Sequence, residues 1–358
     1  MLGAEYFLVQ LLYLLFPFST LAVVFLSSEV HQYKSFFLYF SLIILVFIST
    51  YFKPISYSGD ELTYLDFYDF VVLNGYLPEY LERTEFGFSS LLEFFANTLG
   101  FEGRLFYSLI STFGFVLVLS AFKSVSISLT SVFVFFVVCT NIIFWGMQSP
   151  RQYIAICLFS YSLRYVGTKC EYKHFVFILV AMMFHKSALM VCLVSLFYRM
   201  KLSNVSVYIT CLFVLFLSFY GVSGILEDFV SSLSFLHSGR YDEVEFVLAS
   251  EKAGFGYIIS IFAFLLTIYL YGTIKNKPRF TVFLFNIYFI SSLVKFLFVG
   301  VDYVNRFYMY FVFSNAFFLA VVCVELLRAR RFLPFGIVVA LTFLLYMASS
   351  IQKVDTFF

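Results

Sequence analysis

Charged residues are scarce in this sequence, and their scarcity excludes an ordinary soluble protein. Only 12% of the 358 residues are charged, whereas 62% are hydrophobic. Soluble domains carry about 25% charged residues, because their surfaces must interact with water. Tryptophan is nearly absent, with one residue, while phenylalanine reaches 54 and tyrosine 27. We therefore interpret the chain as a membrane protein whose phenylalanines face lipid and whose tyrosines lie at interfaces and in polar cavities.

The cysteines lack the spacing of a metal site or of a disulfide framework. They form no Cys-x-x-Cys pair, and most lie within apolar runs, where cysteine behaves as a small buried hydrophobic residue. We predict no metal site and no disulfide framework, and we expect no cofactor and no nucleic-acid partner. The cysteines are Cys139, Cys157, Cys170, Cys192, Cys211 and Cys323.

Long apolar runs predict an all-α polytopic membrane protein. A helix needs about 20 apolar residues to cross a bilayer, and the chain accommodates about 10 to 12 transmembrane or re-entrant helices in a single integral membrane domain over 1–358. The first run has no basic segment before it and no small-residue cleavage site, so we expect a retained helix. The candidate spans are 6–26, 36–52, 104–122, 129–147, 150–166, 204–220, 256–275, 280–299, 303–327 and 333–350.

Two apolar segments do not fit a simple span. Residues 86–99 are short and contain Glu93, so we predict a re-entrant or peripheral segment. Residues 173–199 are long and carry a polar centre, which predicts two half-length helices meeting at Phe184–Ser187. Broken helices at membrane depth occur only where they contact protein or line a wet cavity.

Basic residues favour one orientation, because short loops rich in Lys and Arg remain in the cytoplasm. This orientation puts two long loops, about 53–85 and 221–253, on the outer side. Both loops interleave carboxylates with tyrosines, a pattern typical of sugar binding; the alternative is a solvated loop lying on the membrane. The basic residues are Lys34, Lys123, Arg164, Lys169, Lys173, Arg199, Lys201, Lys275, Lys277, Arg279, Arg328, Arg330 and Arg331.

Several cations stand in apolar surroundings, where a charge costs about 2.5 to 3.5 kcal/mol and usually faces a cavity. His185 is a candidate general base, a phosphate contact or a structural residue at a helix break, with Lys186 beside it. Lys295 is predicted either to form an internal ion pair or to contact substrate. Arg151 follows Pro150 at a helix start, where free N–H groups favour an anion.

Five arginines near the predicted outer interface share a further possible task. A guanidinium group binds phosphate oxygens in bidentate fashion, so these arginines are candidates for phosphate binding. The alternative for each is an interfacial arginine or an internal salt bridge. They are Arg83, Arg104, Arg151, Arg240 and Arg306.

Five motifs occur in order along the chain. They are Ser58-Gly-Asp60 with Tyr64, Glu85-Phe-Gly-Phe88, Arg151-Gln-Tyr-Ile-Ala155, Phe184-His-Lys-Ser187 and Arg306-Phe-Tyr-Met-Tyr310. This ordered set resembles the EpsG-like branch of bacterial polysaccharide polymerases, which are relatives of the Wzy-type O-antigen and capsule polymerases. The most specific part of the resemblance is the third motif followed by the fourth.

The resemblance implies an enzyme of the bacterial inner membrane that acts on its outer face. Such polymerases join undecaprenyl-pyrophosphate-linked oligosaccharide repeats, in an architecture similar to that of the O-antigen ligases and without a metal. Further expected partners are the lipid bilayer, a chain-length regulator and a flippase of the same pathway. The expected catalytic residues are His185, Asp60 and Glu85, and the expected substrate-binding residues are Arg151, Arg240, Arg306, Tyr64 and Lys186.

Three other functions compete with this one. An O-antigen ligase would perform the same chemistry with a different acceptor. A polysaccharide flippase or other transporter predicts two related halves with interrupted helices in matching places, and the sequence has an interruption only around 184–187. A non-catalytic scaffold would not need the cations at membrane depth.

Overall fold

The computed structural model describes residues 33–52, 60–77, 85–122, 133–137, 142–219, 261, 264, 265, 268, 278–297 and 302–355. Within these ranges the chain is helical and contains no β-strand, in agreement with the predicted all-α class. The predicted spans 6–26 and 256–275 lie wholly or largely outside the described residues, as does the predicted outer loop 221–253.

The described residues include thirteen α-helices, with short π and 3₁₀ helices between some of them. The first seven are α1 (Tyr33–Tyr51), α2 (Asp60–Asn74), α3 (Phe86–Glu93), α4 (Gly103–Ala121), α5 (Trp145–Gln148), α6 (Pro150–Ser162) and α7 (Tyr172–Phe184). The others are α8 (Val194–Phe197), α9 (Asn204–Phe219), α10 (Arg279–Leu297), α11 (Asp302–Met309), α12 (Val312–Arg328) and α13 (Phe332–Asp355). A π-helix, Phe94–Leu99, continues α3, and 3₁₀ helices cover Ile142–Phe144, Leu163–Tyr165 and Lys186–Leu193.

Helix α6 is the centre of the packing around the site described below. It packs between α4 and α7, and α1 covers the other side of α4. The Tyr153 hydroxyl on α6 donates to the Ser111 carbonyl on α4 at 2.9 Å. Gly114 permits this close approach, since a Cβ there would lie 2.4 Å from the Tyr153 ring. A second group, in which α10 packs on α9, α11 and α12, completes the described core.

The long apolar segment 173–199 is broken where the sequence predicted. Helix α7 ends at Phe184, His185 is extended with φ −158° and ψ 115°, and a 3₁₀ helix starts at Lys186. The α-helical hydrogen bonds therefore stop at the His185 N–H, which donates to the Ala181 carbonyl at 2.9 Å, and Lys186 and Ser187 belong to the 3₁₀ helix.

Two other predicted spans differ from the structure. The segment 303–327 is divided between α11 and α12 by a turn at Tyr310 and Phe311, and the end of 129–147 consists of a short 3₁₀ helix followed by α5. The outer segment 53–85 contains a helix, α2. Helical hydropathy alone did not reveal these divisions, because the apolar run continues through them.

Among the described residues, two helices are long and apolar enough to cross a bilayer, Gly103–Ala121 and Arg279–Phe296. Shorter apolar helices accompany them, including Tyr172–Phe184 and Val205–Val214. The number of crossings and the side on which each loop lies remain predictions.

Candidate functional site

The Glu85 carboxylate is the centre of a polar cluster built from distant parts of the chain. Its Oε2 atom accepts a hydrogen bond from Arg151 Nη1 at 2.8 Å. Its Oε1 atom lies 3.2 Å from His185 Nδ1. The carboxylate is only 9% exposed, compared with 28% for Arg151 and 19% for His185. The cluster is therefore shielded around the carboxylate and more open around the arginine and the histidine.

The charge state of Glu85 follows from these contacts. Burial raises the pKa of Glu85, but the hydrogen bond from His185 and the positive charge of Arg151 outweigh burial and lower the pKa to about 2. Glu85 is consequently ionised at neutral pH, and an ionised carboxylate can only accept hydrogen bonds. The His185 Nδ1 atom therefore donates the hydrogen bond to Glu85, and in the neutral tautomer that carries this proton the Nε2 atom is an acceptor.

Tyr64 extends the cluster on the other side of Arg151. Arg151 Nε donates to the Tyr64 hydroxyl at 2.9 Å, and the guanidinium carbon lies 5.8 Å from the centre of the Tyr64 ring. Burial raises the pKa of Tyr64, although Arg151 opposes this effect, so the hydroxyl keeps its proton at neutral pH. The guanidinium of Arg151 is thus held through Nε and Nη1, and its Nη2 group makes no hydrogen bond to the described residues.

Local sequence explains how these side chains reach one place. Pro150 occupies the first turn of α6, where its missing N–H is not needed, so Arg151 lies at the helix N-terminus. Gly87 lets α3 approach α7, since a Cβ at this position would lie 2.9 Å from the Met183 carbonyl oxygen. This contact brings Glu85, at the start of α3, to the end of α7 where His185 lies. Tyr107 on α4 donates to the Tyr64 carbonyl at 2.7 Å and holds α2.

Two further contacts, which the sequence did not predict, attach α11 and the following turn to the site. Gln152 Nε2 donates to the backbone carbonyl of Arg306 at 2.9 Å. The hydroxyl groups of Ser187 and Tyr310 lie 2.9 Å apart. Each contact involves a residue next to, or within two positions of, a predicted site residue. The only sequence signal for these two contacts was that Gln152 and Ser187 are polar residues within the Arg-Gln and His-Lys-Ser motifs.

The structure brings the side chains of four of the eight predicted site residues into direct hydrogen-bonding contact: Tyr64, Glu85, Arg151 and His185. Asp60 is exposed on the first turn of α2, one turn from Tyr64. The Lys186 backbone N–H is 3.5 Å from Glu85 Oε1, and the residue is exposed. Arg306 joins the site through its carbonyl, and Arg240 lies outside the described residues.

Arg104 and Arg83 were the other candidates for phosphate binding, and no metal site was expected. Arg104 Nη1 lies 3.5 Å from the Tyr51 carbonyl of α1, and Arg83 lies outside the described residues. Within the described part of the chain, no group of three His, Cys, Asp or Glu side chains is placed to hold a metal ion. The chemistry available in the cluster is therefore that of a hydrogen-bonded carboxylate, imidazole, guanidinium and phenol.

Comparison with known proteins identifies the chain at the level of a family. The sequence profile of the EpsG family matches residues 35–358, a range that includes every residue of the cluster. No curated protein matches the chain, and no solved structure does. The match confirms the family that the motifs predicted, and together with the apolar helices it indicates a membrane protein. The chain belongs to the EpsG family, a family of Wzy-type polysaccharide polymerase-like proteins.

Proposed function

We propose that this protein joins oligosaccharide repeats carried on undecaprenyl pyrophosphate, and that the reaction occurs at the Tyr64–Arg151–Glu85–His185 cluster. Membership of the EpsG family supports a role of the polysaccharide polymerase type in general. The observation that carries the finer proposal is the bond between Glu85 and His185 beside an arginine held at a helix N-terminus. A base and an anion-binding group are the two parts that this reaction requires.

His185 acts as the general base in this proposal. The ionised Glu85 accepts the Nδ1 proton, orients the ring and stabilises the positive charge that develops on it. The Nε2 atom removes the proton from a sugar hydroxyl of the acceptor repeat, and the hydroxyl oxygen attacks the anomeric carbon of the donor. Glu85 itself is a poor base, because its pKa of about 2 lies far below neutrality. It is therefore a positioning residue rather than the proton acceptor.

Arg151 stabilises the leaving group. As the new glycosidic bond forms, the bond between the anomeric carbon and the pyrophosphate oxygen breaks, and the lipid pyrophosphate leaves with the electron pair. The Nη2 group of Arg151 can donate to this oxygen while Nε and Nη1 remain bound to Tyr64 and Glu85. Arg306 and Arg240 are further candidates for the pyrophosphate oxygens, and Asp60 and Lys186 for the sugars and phosphates at the edge of the cluster. Solvent finally takes the proton from His185.

Reconstitution tests the reaction. Purified protein in liposomes is mixed with one lipid-pyrophosphate-linked repeat, and the products are separated by size. We expect a ladder of joined repeats and release of lipid pyrophosphate. Movement of the repeat across the bilayer without joining would instead identify a transporter. In cells, loss of a polymerase leaves single repeats attached to the lipid A-core, whereas loss of a ligase leaves unattached polymer.

The role of Glu85 is tested in the same assay. Glu85→Gln removes the charge that orients and stabilises His185, and we expect the rate to fall about 10- to 100-fold, as for other residues that orient a reacting group. Glu171→Gln is the matched control, because Glu171 lies at the far end of α7 and has only a 4.0 Å contact with Arg199. Equal rates for the two variants would remove Glu85 from the reaction.

A further inference from the structure

Lys295 is a cation in an apolar helix for which the proposed cluster has no use. It lies near the C-terminal end of α10, one of the two described helices that are long and apolar enough to span a bilayer. Its ammonium group lies 4.8 Å from the centre of the Tyr308 ring on α11. Within the described part of the chain it forms no ion pair with a carboxylate. An aromatic face stabilises a cation without supplying a countercharge, so an anion bound beside Lys295 would be favoured.

Two serines lie on the same face of α10 as Lys295. Ser291 and Ser292 precede Lys295 by one helical turn, share its face of α10, and are buried, at 2% and 6% exposure. Asn315 of α12 donates to the Ser291 hydroxyl at 3.1 Å. Hydroxyl and amide groups in an otherwise apolar helix pair indicate a polar patch between the helices rather than a lipid-facing surface.

Helix α11 contacts both Lys295 and the proposed reaction centre. Gln152, the neighbour of Arg151, bonds to the Arg306 carbonyl of α11, and Lys295 contacts Tyr308 two residues further along the same helix. Lys295 is also 16 residues from Arg279 along α10, which corresponds to about 24 Å in a helix. The cation is thus at the end of α10 that meets α11, far from the basic end of the helix.

We propose that Lys295 and Tyr308 form a second binding site for the diphosphate of a lipid-linked saccharide, adjacent to the site at Arg151. The inference rests on the proposed function, since joining two repeats requires a donor and an acceptor to be bound together, each with its own diphosphate. An ammonium group is a compact charge suited to phosphate oxygens, and Tyr308 holds it in place. The acceptor would then keep its diphosphate while the donor loses its own at Arg151.

Native mass spectrometry of the full-length protein in nanodiscs tests the second site. The probe is undecaprenyl diphosphate without a sugar, and phosphatidylglycerol serves as the competing phosphate-bearing lipid. We expect the wild type to bind two diphosphate molecules and Lys295→Met to bind one. Lys295→Arg retains the charge and should bind two. Lys169→Met, which removes an exposed lysine in the turn before α7, is the matched control and should also bind two.

The possible outcomes separate this inference from the proposed function. Two molecules bound by folded Lys295→Met, or a single molecule bound by the wild type, would overturn the second site. If Lys295→Met loses bound phosphatidylglycerol rather than the diphosphate, the Lys295 site binds a phospholipid headgroup. That result would also overturn the second diphosphate site. If the wild type binds two molecules, Lys295→Met binds one, and no repeats are joined on reconstitution, the polymerase proposal fails while the second diphosphate site stands. Size-exclusion profiles and melting temperatures of the variants establish that they are folded.

Discussion

The two ends of the α6–α7 pair carry the same kinds of residues in different surroundings. The helices are antiparallel neighbours of 13 residues each, or about 18 Å in length. At one end Arg151 and His185 share the buried carboxylate of Glu85. At the other end the exposed Arg164 lies over two tyrosine rings, 5.2 and 5.5 Å from their centres. Arg151 is thus held by short hydrogen bonds to two side chains, whereas Arg164 makes longer ones, 3.4 Å to the Ser120 carbonyl and 3.3 Å to the Tyr161 hydroxyl.

The two histidines of this helix pair differ in the same way. His174 lies in the first turn of α7, is fully buried, and has Nδ1 at 2.8 Å from the Ser162 hydroxyl. His185 follows the last turn of α7, is partly exposed, and has its Nδ1 on a carboxylate. Only His185 combines access with a negatively charged partner. The difference teaches that the partner and the exposure of a histidine, rather than its presence in an apolar run, indicate a chemical role.

The largest effect is expected from exchanging each histidine for asparagine. His185→Asn keeps a donor for Glu85 but removes the Nε2 base, so the polymerisation rate should fall about 10²- to 10⁴-fold with little change in melting temperature. His174→Asn keeps a hydrogen-bonding partner for Ser162 but loses ring volume, and should cost about 1 to 3 kcal/mol of stability while the folded protein remains active. Rates from the reconstituted assay and melting curves check both. The opposite pattern would reverse the roles assigned to the two histidines.

An intermediate effect is expected from exchanging each arginine for lysine. Arg151→Lys keeps the charge but loses the planar fork whose Nε and Nη1 donate to Tyr64 and Glu85, and loss of one bond to a charged group should lower the rate about 10- to 100-fold. Arg164→Lys should leave the rate near the wild-type value, since its side chain is exposed and surface contacts contribute little. Initial rates at saturating substrate measure the difference. Similar rates for the two variants would show that the geometry of Arg151 is unimportant.

The last effect is a stability change in acid, which is measured separately from the rates. The pKa of Glu85 falls from 4.5 to about 2 on folding, so its contribution is present above pH 4.5 and is lost as the pH falls towards 2. The contribution is about 3 kcal/mol for a shift of this size. Melting temperatures in detergent between pH 6 and pH 2.5 should therefore fall more steeply for the wild type than for Glu85→Gln. Glu171→Gln should retain the wild-type slope, and a parallel fall in all three proteins would contradict the role of Glu85.

Much of the candidate site was predictable because polar residues are conspicuous in an apolar chain. The break after Phe184 and the polar residues around it followed from the cost of a charged centre in a span. The pairing of Glu85 with His185 was not predictable, since 100 residues separate them and no local pattern relates such distant positions. The division between α11 and α12 was also missed, because the apolar composition continues across the turn.

The sequence by itself determined that this is an apolar helical protein, because hydropathy and helix length depend on local composition. It also limited the candidates for the active site to a small set of polar residues. It also determined the family, through motifs that are each local. Only the tertiary structure decided which partners these residues have, since Glu85 acquires its charge state from Arg151 and His185, and His185 its tautomer from Glu85. Charge and hydrogen bonding act over a few ångströms in space, and the packing of α3, α6 and α7 alone brings these atoms to that distance.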